Sequence, residues 1–156
     1  MKIALTILLL LSGFVSFSQR KMPPRKAYHK VDTILAKSLG ADEYGMRKYV
    51  MCFLKTGPTK DLSPDSAKKI QVLHLQNISK LASQGKLCVA GPFLDNTELE
   101  GVIVFNVETV QEAKTLAETD PAVKAGLLVM EFHPWYCSAA LMQVNLIHSK
   151  IQKKSF

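Results

Sequence analysis

The stretch KLCVAGPFLDNTELEGVIVFNVE, residues 86–108, decides the fold of this chain. Two runs of apolar, β-branched and aromatic residues, 86–93 and 100–108, predict two strands. The polar triplet 95–97 lies between them and forms a turn. Because so short a connection cannot carry the chain across a sheet, the two strands are expected to form an antiparallel hairpin.

The N-terminal flank of this hairpin predicts a strand followed by a long helix. Residues 48–55 (KYVMCFLK) have the composition of a strand. Ser63 and Pro64 mark the start of a helix, since serine is a preferred N-cap and proline is tolerated at the first helical position. The helix is expected to run to about Gln84 and to end at Gly85.

The C-terminal flank predicts the same alternation. Thr109 and Glu112 form a capping box for a helix that continues to about residue 118. Asp120, followed by a proline, begins a further helical turn that ends at Gly126, and residues 127–133 predict a fourth strand. Residues 138–151 predict a C-terminal helix.

The order of elements, β-α-β-β-α-β, predicts an α+β fold of the ferredoxin-like type with an added C-terminal helix. Two helices cover only one face of such a sheet, yet the first strand is apolar on both faces, since Val50, Cys52 and Leu54 alternate with Met51 and Phe53. A sheet that is apolar on both faces needs cover on both. The C-terminal helix supplies part of that cover, and we expect a second copy of the chain, in a homodimer, to supply the rest.

Residues 1–18 have the pattern of a cleavable signal peptide. Lys2 precedes an apolar run, and Ser16 and Ser18 occupy the −3 and −1 positions of a cut before Gln19. The apolar segment is too short for a bilayer, which requires about 20 residues, although an uncleaved anchor is the alternative. We therefore expect an exported protein, periplasmic or extracellular, with no stable membrane insertion after cleavage. Residues 19–46 then form a basic linker with a short helix near 32–39.

Composition excludes several classes of protein. The chain has 156 residues, which fits one domain of residues 47–136 with a tail at 137–156, and a formal charge of +7. Much of that charge lies near the ends of the mature chain, and no nucleic-acid-binding motif accompanies it, so nucleic acid is not expected as a partner. The chain has three cysteines, and an odd number implies at least one free thiol or an intermolecular bridge. Cys52 and Cys88 lie in apolar strands and are predicted core residues.

Two polar residues stand out as candidates for chemistry. His74 lies four residues after Ile70 and four before Ile78, which places it on the sheet-facing side of its helix. Taken alone it is most simply a core histidine, and Asp120 alone is most simply a helix N-cap. In a β-α-β-β-α-β fold, however, both helices lie on one side of the sheet, so the two residues can meet. A histidine oriented by a carboxylate is suited to act as a general base.

Four segments in order resemble the YCII-related (YciI-like) family over about residues 48–135. They are HLQNISKLASQGKLCVAGPF from residue 74, EGVIVFNVETVQEAK from 100, DPAVKAG from 120 and MEFHPW from 130. The resemblance implies a dimeric α+β barrel and an active site built on a His and an Asp, which fall on His74 and Asp120. Family members similar to dehydrochlorinases eliminate HCl from a hydroxylated aromatic ring. The export signal, basic arm and C-terminal helix depart from the simplest members, so no substrate is carried over.

Four further residues are candidate ligand contacts. Asn77 follows His74 by three residues, Gly91 and Pro92 end the second strand at an expected pocket rim, and Lys124 could meet an anionic ligand. Gly91 and Pro92 have a plainer interpretation as a strand terminator, and Lys124 has one as a solvated side chain. No metal-ligand cluster or cofactor motif is present in the sequence, and neither a metal nor a cofactor is expected.

The sequence therefore favours a small exported enzyme that uses a His74–Asp120 dyad for proton transfer, of lyase or isomerase type, on a small aromatic or anionic molecule. Two alternatives remain open at this level. One is a non-catalytic dimer that binds a small ligand in the same cleft, and the other is a scaffold protein of the cell envelope.

Overall fold

A computed structural model describes residues 30–95 and 97–154 of the chain. The predicted signal peptide and most of the basic arm lie outside these residues. The elements are α1 (Thr33–Ser38), β1 (Met46–Thr56), α2 (Pro64–Ser83), β2 (Leu87–Pro92), β3 (Leu99–Phe105), α3 (Val110–Ala117), α4 (Pro121–Lys124), β4 (Leu128–Ser138), a 3-10 helix (Ala139–Gln143) and α5 (Val144–Ile151). None of the helices in the described part of the chain is both long and apolar enough to cross a bilayer.

The four strands form one antiparallel sheet in the order β2-β3-β1-β4. This order, together with the chain order β-α-β-β-α-β, is that of a ferredoxin-like domain, so the predicted α+β fold is confirmed. The hairpin predicted from residues 86–108 is formed by β2 and β3, which pair antiparallel. The predicted caps are also present: Ser63, Thr109 and Asp120 each accept a backbone N–H bond at the start of a helix.

The main core lies between the helices and one face of the sheet. Val50, Cys52 and Leu54 of β1 are buried there with Leu81 of α2 and Ala113 of α3. Because α2 and α3 contribute to the same cluster, both helices pack on the same face. This common side is what allows a residue of α2 to approach the start of α4.

The C-terminal segment covers part of the opposite face. Tyr49 and Val104 are buried on that side, and Leu141 and Met142 from the 3-10 helix pack against them. The cover is incomplete, because Val129 on β4 keeps 48% of its surface exposed. The two-sided apolar pattern of β1 is thus partly explained by the chain's own C-terminus.

The C-terminal elements differ from the expectation of a single helix over 138–151. Strand β4 continues to Ser138, and its full length pairs with β1 from Met46↔Ser138 to Thr56↔Leu128. Pro134 does not interrupt it, since β4 is an edge strand and proline is tolerated there. The following turn is a 3-10 helix capped by the Ser138 hydroxyl, which accepts from the Ala140 amide, and only residues from Val144 onward are α-helical.

Candidate active site

His74 lies on the sheet-facing side of α2. The helix begins at the Ser63 cap, and its rows of side chains at spacing three and four place His74 between Ile70 and Ile78. Only 6% of the His74 surface is exposed. A buried imidazole requires a polar partner, because an unsatisfied polar group costs about 1–3 kcal/mol of stability.

That partner is Asp120, at the start of α4. Its Oδ2 lies 2.8 Å from Nδ1 of His74, and its Oδ1 accepts a 2.8 Å hydrogen bond from the Ala122 amide. Asp120 is 1% exposed. The two interpretations of Asp120 therefore hold together, since one carboxylate oxygen caps the helix while the other binds the histidine.

Asn77 supports the pair from the side. Its Nδ2 donates to Asp120 Oδ2 at 3.4 Å, and its Oδ1 lies 3.1 Å from the Thr119 hydroxyl, which also donates to the Leu116 carbonyl at 2.6 Å. Thr119 directly precedes Asp120, so this contact ties α2 to the chain that presents the carboxylate. We interpret Asn77 as a residue that positions the pair.

The ionisation of Asp120 follows from two opposing effects. Burial raises the pKa of this carboxyl, but hydrogen bonding to His74 and the charge of its ring lower it. Hydrogen bonds from the Ala122 amide and from Asn77 lower it further, and the net result is a pKa below the usual value of 3.8. Asp120 is accordingly an anion at neutral pH.

An ionised Asp120 fixes the tautomer of a neutral His74. A carboxylate can only accept hydrogen bonds, so Nδ1 of the imidazole must donate to it. The lone pair then lies on Nε2, which makes no hydrogen bond within the residues that the structure describes. Nε2 is therefore the atom of this site that is suited to accept a proton.

A cavity of about 430 Å³ adjoins His74. Its lining is mainly apolar, with three polar side chains, His74, Gln71 and Glu100. The other lining residues are Leu54, Leu75, Ile78, Ala90, Gly91, Pro92, Val102, Ile103 and Leu128. An apolar cleft with a few polar groups is the usual form of a small-molecule site.

The predicted ligand contacts divide into two groups. Gly91 and Pro92 line the cavity, as expected for the rim. Asn77 contacts Asp120 and is not among the lining residues, while Lys124 is exposed at the end of α4 and does not line the cavity either. The expectation that Lys124 meets an anionic ligand in this cleft thus finds no support in its position.

Two residues that line the cavity, Gln71 and Glu100, were not among the candidates predicted from the sequence. Gln71 lies three residues before His74, so the helical spacing that identified His74 could also have identified it. Glu100 lies beside a β-bulge, where Leu54 pairs with Gly101 but Lys55 pairs with Leu99. No feature of the local sequence predicts this bulge. Within the described residues, no group of three or more His, Cys, Asp or Glu side chains could hold a metal ion.

The chain thus combines a small α+β domain of the ferredoxin-like type with a buried His–Asp pair beside an apolar cavity. The family model of the YCII-related domain matches residues 48–135, more than half of the chain. The chain belongs to the YCII-related family, and the resemblance seen in the sequence is confirmed.

Comparison with individual proteins adds little to this assignment. No curated protein sequence matches the chain. Among solved structures, the chain is similar to 5-chloro-2-hydroxyhydroquinone dehydrochlorinase from Burkholderia phenoliruptrix AC1100, in complex with 2,5-dihydroxybenzoquinone. The two are 22% identical with a TM-score of 0.44, over 56% of this chain and 92% of the other.

Proposed function

We propose that this YCII-related protein is an enzyme that moves a proton on a small, largely apolar molecule, by elimination or isomerisation. The observation that carries the proposal is the 2.8 Å contact between Nδ1 of His74 and Asp120 at the wall of a cavity. In the proposed reaction, His74 is the general acid and base, and Asp120 orients the ring and balances its charge.

The first step would transfer a proton from a carbon or oxygen of the substrate to Nε2 of His74. The imidazolium that forms lies against the Asp120 carboxylate, so the new positive charge is paired as soon as it appears. In an isomerisation the same nitrogen returns the proton to another atom of the substrate. In an elimination the electron pair left behind expels a leaving group, and the proton passes to that group or to solvent.

A non-catalytic ligand-binding protein is the second candidate. The predominance of apolar lining residues favours it, because burial of an apolar ligand gives affinity without chemistry. A buried His–Asp pair would then serve only to hold α2 against α4. The two candidates differ in whether His74 exchanges protons with a bound molecule.

We further propose that the protein acts outside the cytoplasm as a homodimer. Export is supported by the signal-like pattern of residues 1–18. Dimerisation is supported by the part of the sheet that the C-terminal segment leaves uncovered, where Phe53 is half-buried and Val129 is exposed.

The first experiment measures the proton position on His74 and its transfer to ligands. Imidazole 15N shifts should show the lone pair on Nε2 in the wild-type protein and a mixed or inverted tautomer in Asp120→Asn. A panel of small carbonyl and hydroxyaromatic compounds is then screened in D₂O for exchange of carbon-bound hydrogen. We expect His74→Gln to lower the exchange rate by about 10²–10⁴-fold, the usual contribution of a general base.

His148→Gln is the matched control, because His148 is an exposed histidine on α5 that does not line the cavity. It should leave exchange unchanged. Exchange that survives in His74→Gln would contradict the assigned base. Binding of panel compounds without any exchange would support the ligand-binding candidate.

A further inference from the structure

The charges around the cavity are unevenly distributed. The chain as a whole is basic, with a formal charge of +7. Among the described residues, however, no lysine or arginine lines the cavity, and the carboxylate in its lining is that of Glu100. Behind His74 lies a second carboxylate, that of Asp120. The cavity wall therefore holds a carboxylate and, within the described residues, no lysine or arginine to balance it.

Glu100 is held in a defined position at this cavity. The Thr56 hydroxyl donates a 2.6 Å hydrogen bond to its Oε1, and its carbonyl oxygen accepts from the Phe93 amide at 3.0 Å. The β-bulge between β1 and β3 leaves Glu100 without a pairing partner on β1, since Leu54 pairs with Gly101 and Lys55 with Leu99. Bulges of this kind commonly redirect a side chain beside a functional site.

We infer that Glu100 determines the charge of the ligand: the cavity accepts molecules with an apolar body and a cationic or hydrogen-bond-donating group, and rejects anions. The inference rests on the proposed function for the site but concerns binding alone. A carboxylate at the mouth of an apolar cleft focuses its field into the cleft, because the walls have a low dielectric constant. An amine or hydroxyl of the ligand can donate to Glu100, whereas a carboxylate of the ligand cannot.

The size of the effect follows from the contact of the charges with solvent. Glu100 is exposed, and a pair of opposite charges in contact with solvent is worth up to about fivefold in affinity. Glu100 attracts a cation and repels an anion, so neutralising Glu100 should weaken the binding of a cationic ligand and strengthen that of an anionic one. The affinity of a neutral ligand of the same shape should hardly change.

The test uses three probes with the same ring: benzylamine, benzyl alcohol and benzoate. At neutral pH they are a cation, a neutral donor and an anion. Dissociation constants come from chemical-shift titrations of the 15N-labelled protein, with the shifts of Ala90 and Ile103 amides reporting the cavity. For the wild type we expect benzylamine to bind most tightly and benzoate most weakly.

Glu100→Gln should weaken the binding of benzylamine and strengthen that of benzoate, each by up to about fivefold. Glu98→Gln is the matched control, since Glu98 is exposed like Glu100 and lies on the same segment but does not line this cavity. It removes the same charge from the protein and should leave the three constants unchanged.

Three outcomes would overturn the inference: benzoate binding as tightly as benzylamine in the wild type, equal effects of the Glu98 and Glu100 variants, or no cavity shift with any probe. The outcome is independent of turnover. Hydrogen exchange on an anionic compound that requires His74 would keep the proposed function and refute the assignment of Glu100. If benzylamine binds most tightly and benzoate most weakly in a protein that shows no hydrogen exchange, the assignment of Glu100 stands and the proposed function is refuted.

Discussion

Replacement of Asp120 by alanine should cost far more stability than loss of an ordinary helix cap. The substitution removes the charge-assisted hydrogen bond to His74, worth about 1.5–3 kcal/mol. It also removes the cap on the Ala122 amide, worth about 1 kcal/mol. The weaker 3.4 Å contact from Asn77 adds little. The expected loss in the free energy of unfolding is therefore about 2.5–4 kcal/mol.

The assay is urea unfolding at pH 7, followed by far-UV circular dichroism, with Thr109→Ala as the control. Thr109 caps α3 through its hydroxyl, which accepts from the Glu112 amide, and has no buried partner. Its replacement should cost only about 1 kcal/mol. The loss of stability in Asp120→Asn should lie between those of Asp120→Ala and Thr109→Ala, because the asparagine oxygen can still accept from the Ala122 amide. If Asp120→Ala costs no more than Thr109→Ala, the pair with His74 contributes nothing to stability and the reasoning fails.

The pH dependence supplies an independent check on the same pair. Because the pKa of Asp120 is lowered from 3.8 by folding, the unfolded chain takes up a proton at a higher pH than the folded one. The stabilisation is thus complete above about pH 4 and is lost as the pH falls through the folded value. In that acidic range, the free energy of unfolding of the wild type should fall toward that of Asp120→Asn. A constant difference down to pH 2 would contradict the lowered pKa.

Two further predictions concern the thiols and the oligomeric state. Burial raises the pKa of Cys52 to about 12 and that of Cys88 to about 11. A disulfide reagent at pH 8 should therefore label only the half-buried Cys137 in the native protein, and all three thiols in denaturant. Rapid labelling of all three thiols in the native protein would contradict the burial of Cys52 and Cys88. Sedimentation should show a dimer, and Phe53→Glu should yield a folded monomer, because a charge on the uncovered sheet face cannot be desolvated cheaply; a monomeric wild type would refute the proposed dimer.

Much of the fold could be predicted because its signals are local. Ser63, Thr109 and Asp120 announce helix starts through hydrogen bonds to residues two or three positions away. The hairpin follows from two strand-like runs and a short turn. The end of β4 could not be predicted in this way. It depends on the pairing of Cys137 with Arg47 at the far end of β1, a contact between residues distant in sequence.

The site shows the same division between local and distant causes. His74 and Asp120 could be paired from sequence because helical periodicity places the first and a capping pattern places the second, and the fold brings the two together. The position of Glu100 at the cavity could not be predicted from sequence, because it depends on a one-residue change of register between β1 and β3. Side chains of a strand alternate with a period of two, so a slip of a single residue changes which surface each one reaches. Periodicity identifies the strand but not the bulge within it. Polar residues beside such irregularities are therefore the ones that a sequence pattern overlooks, although they are well placed to decide what the cavity accepts.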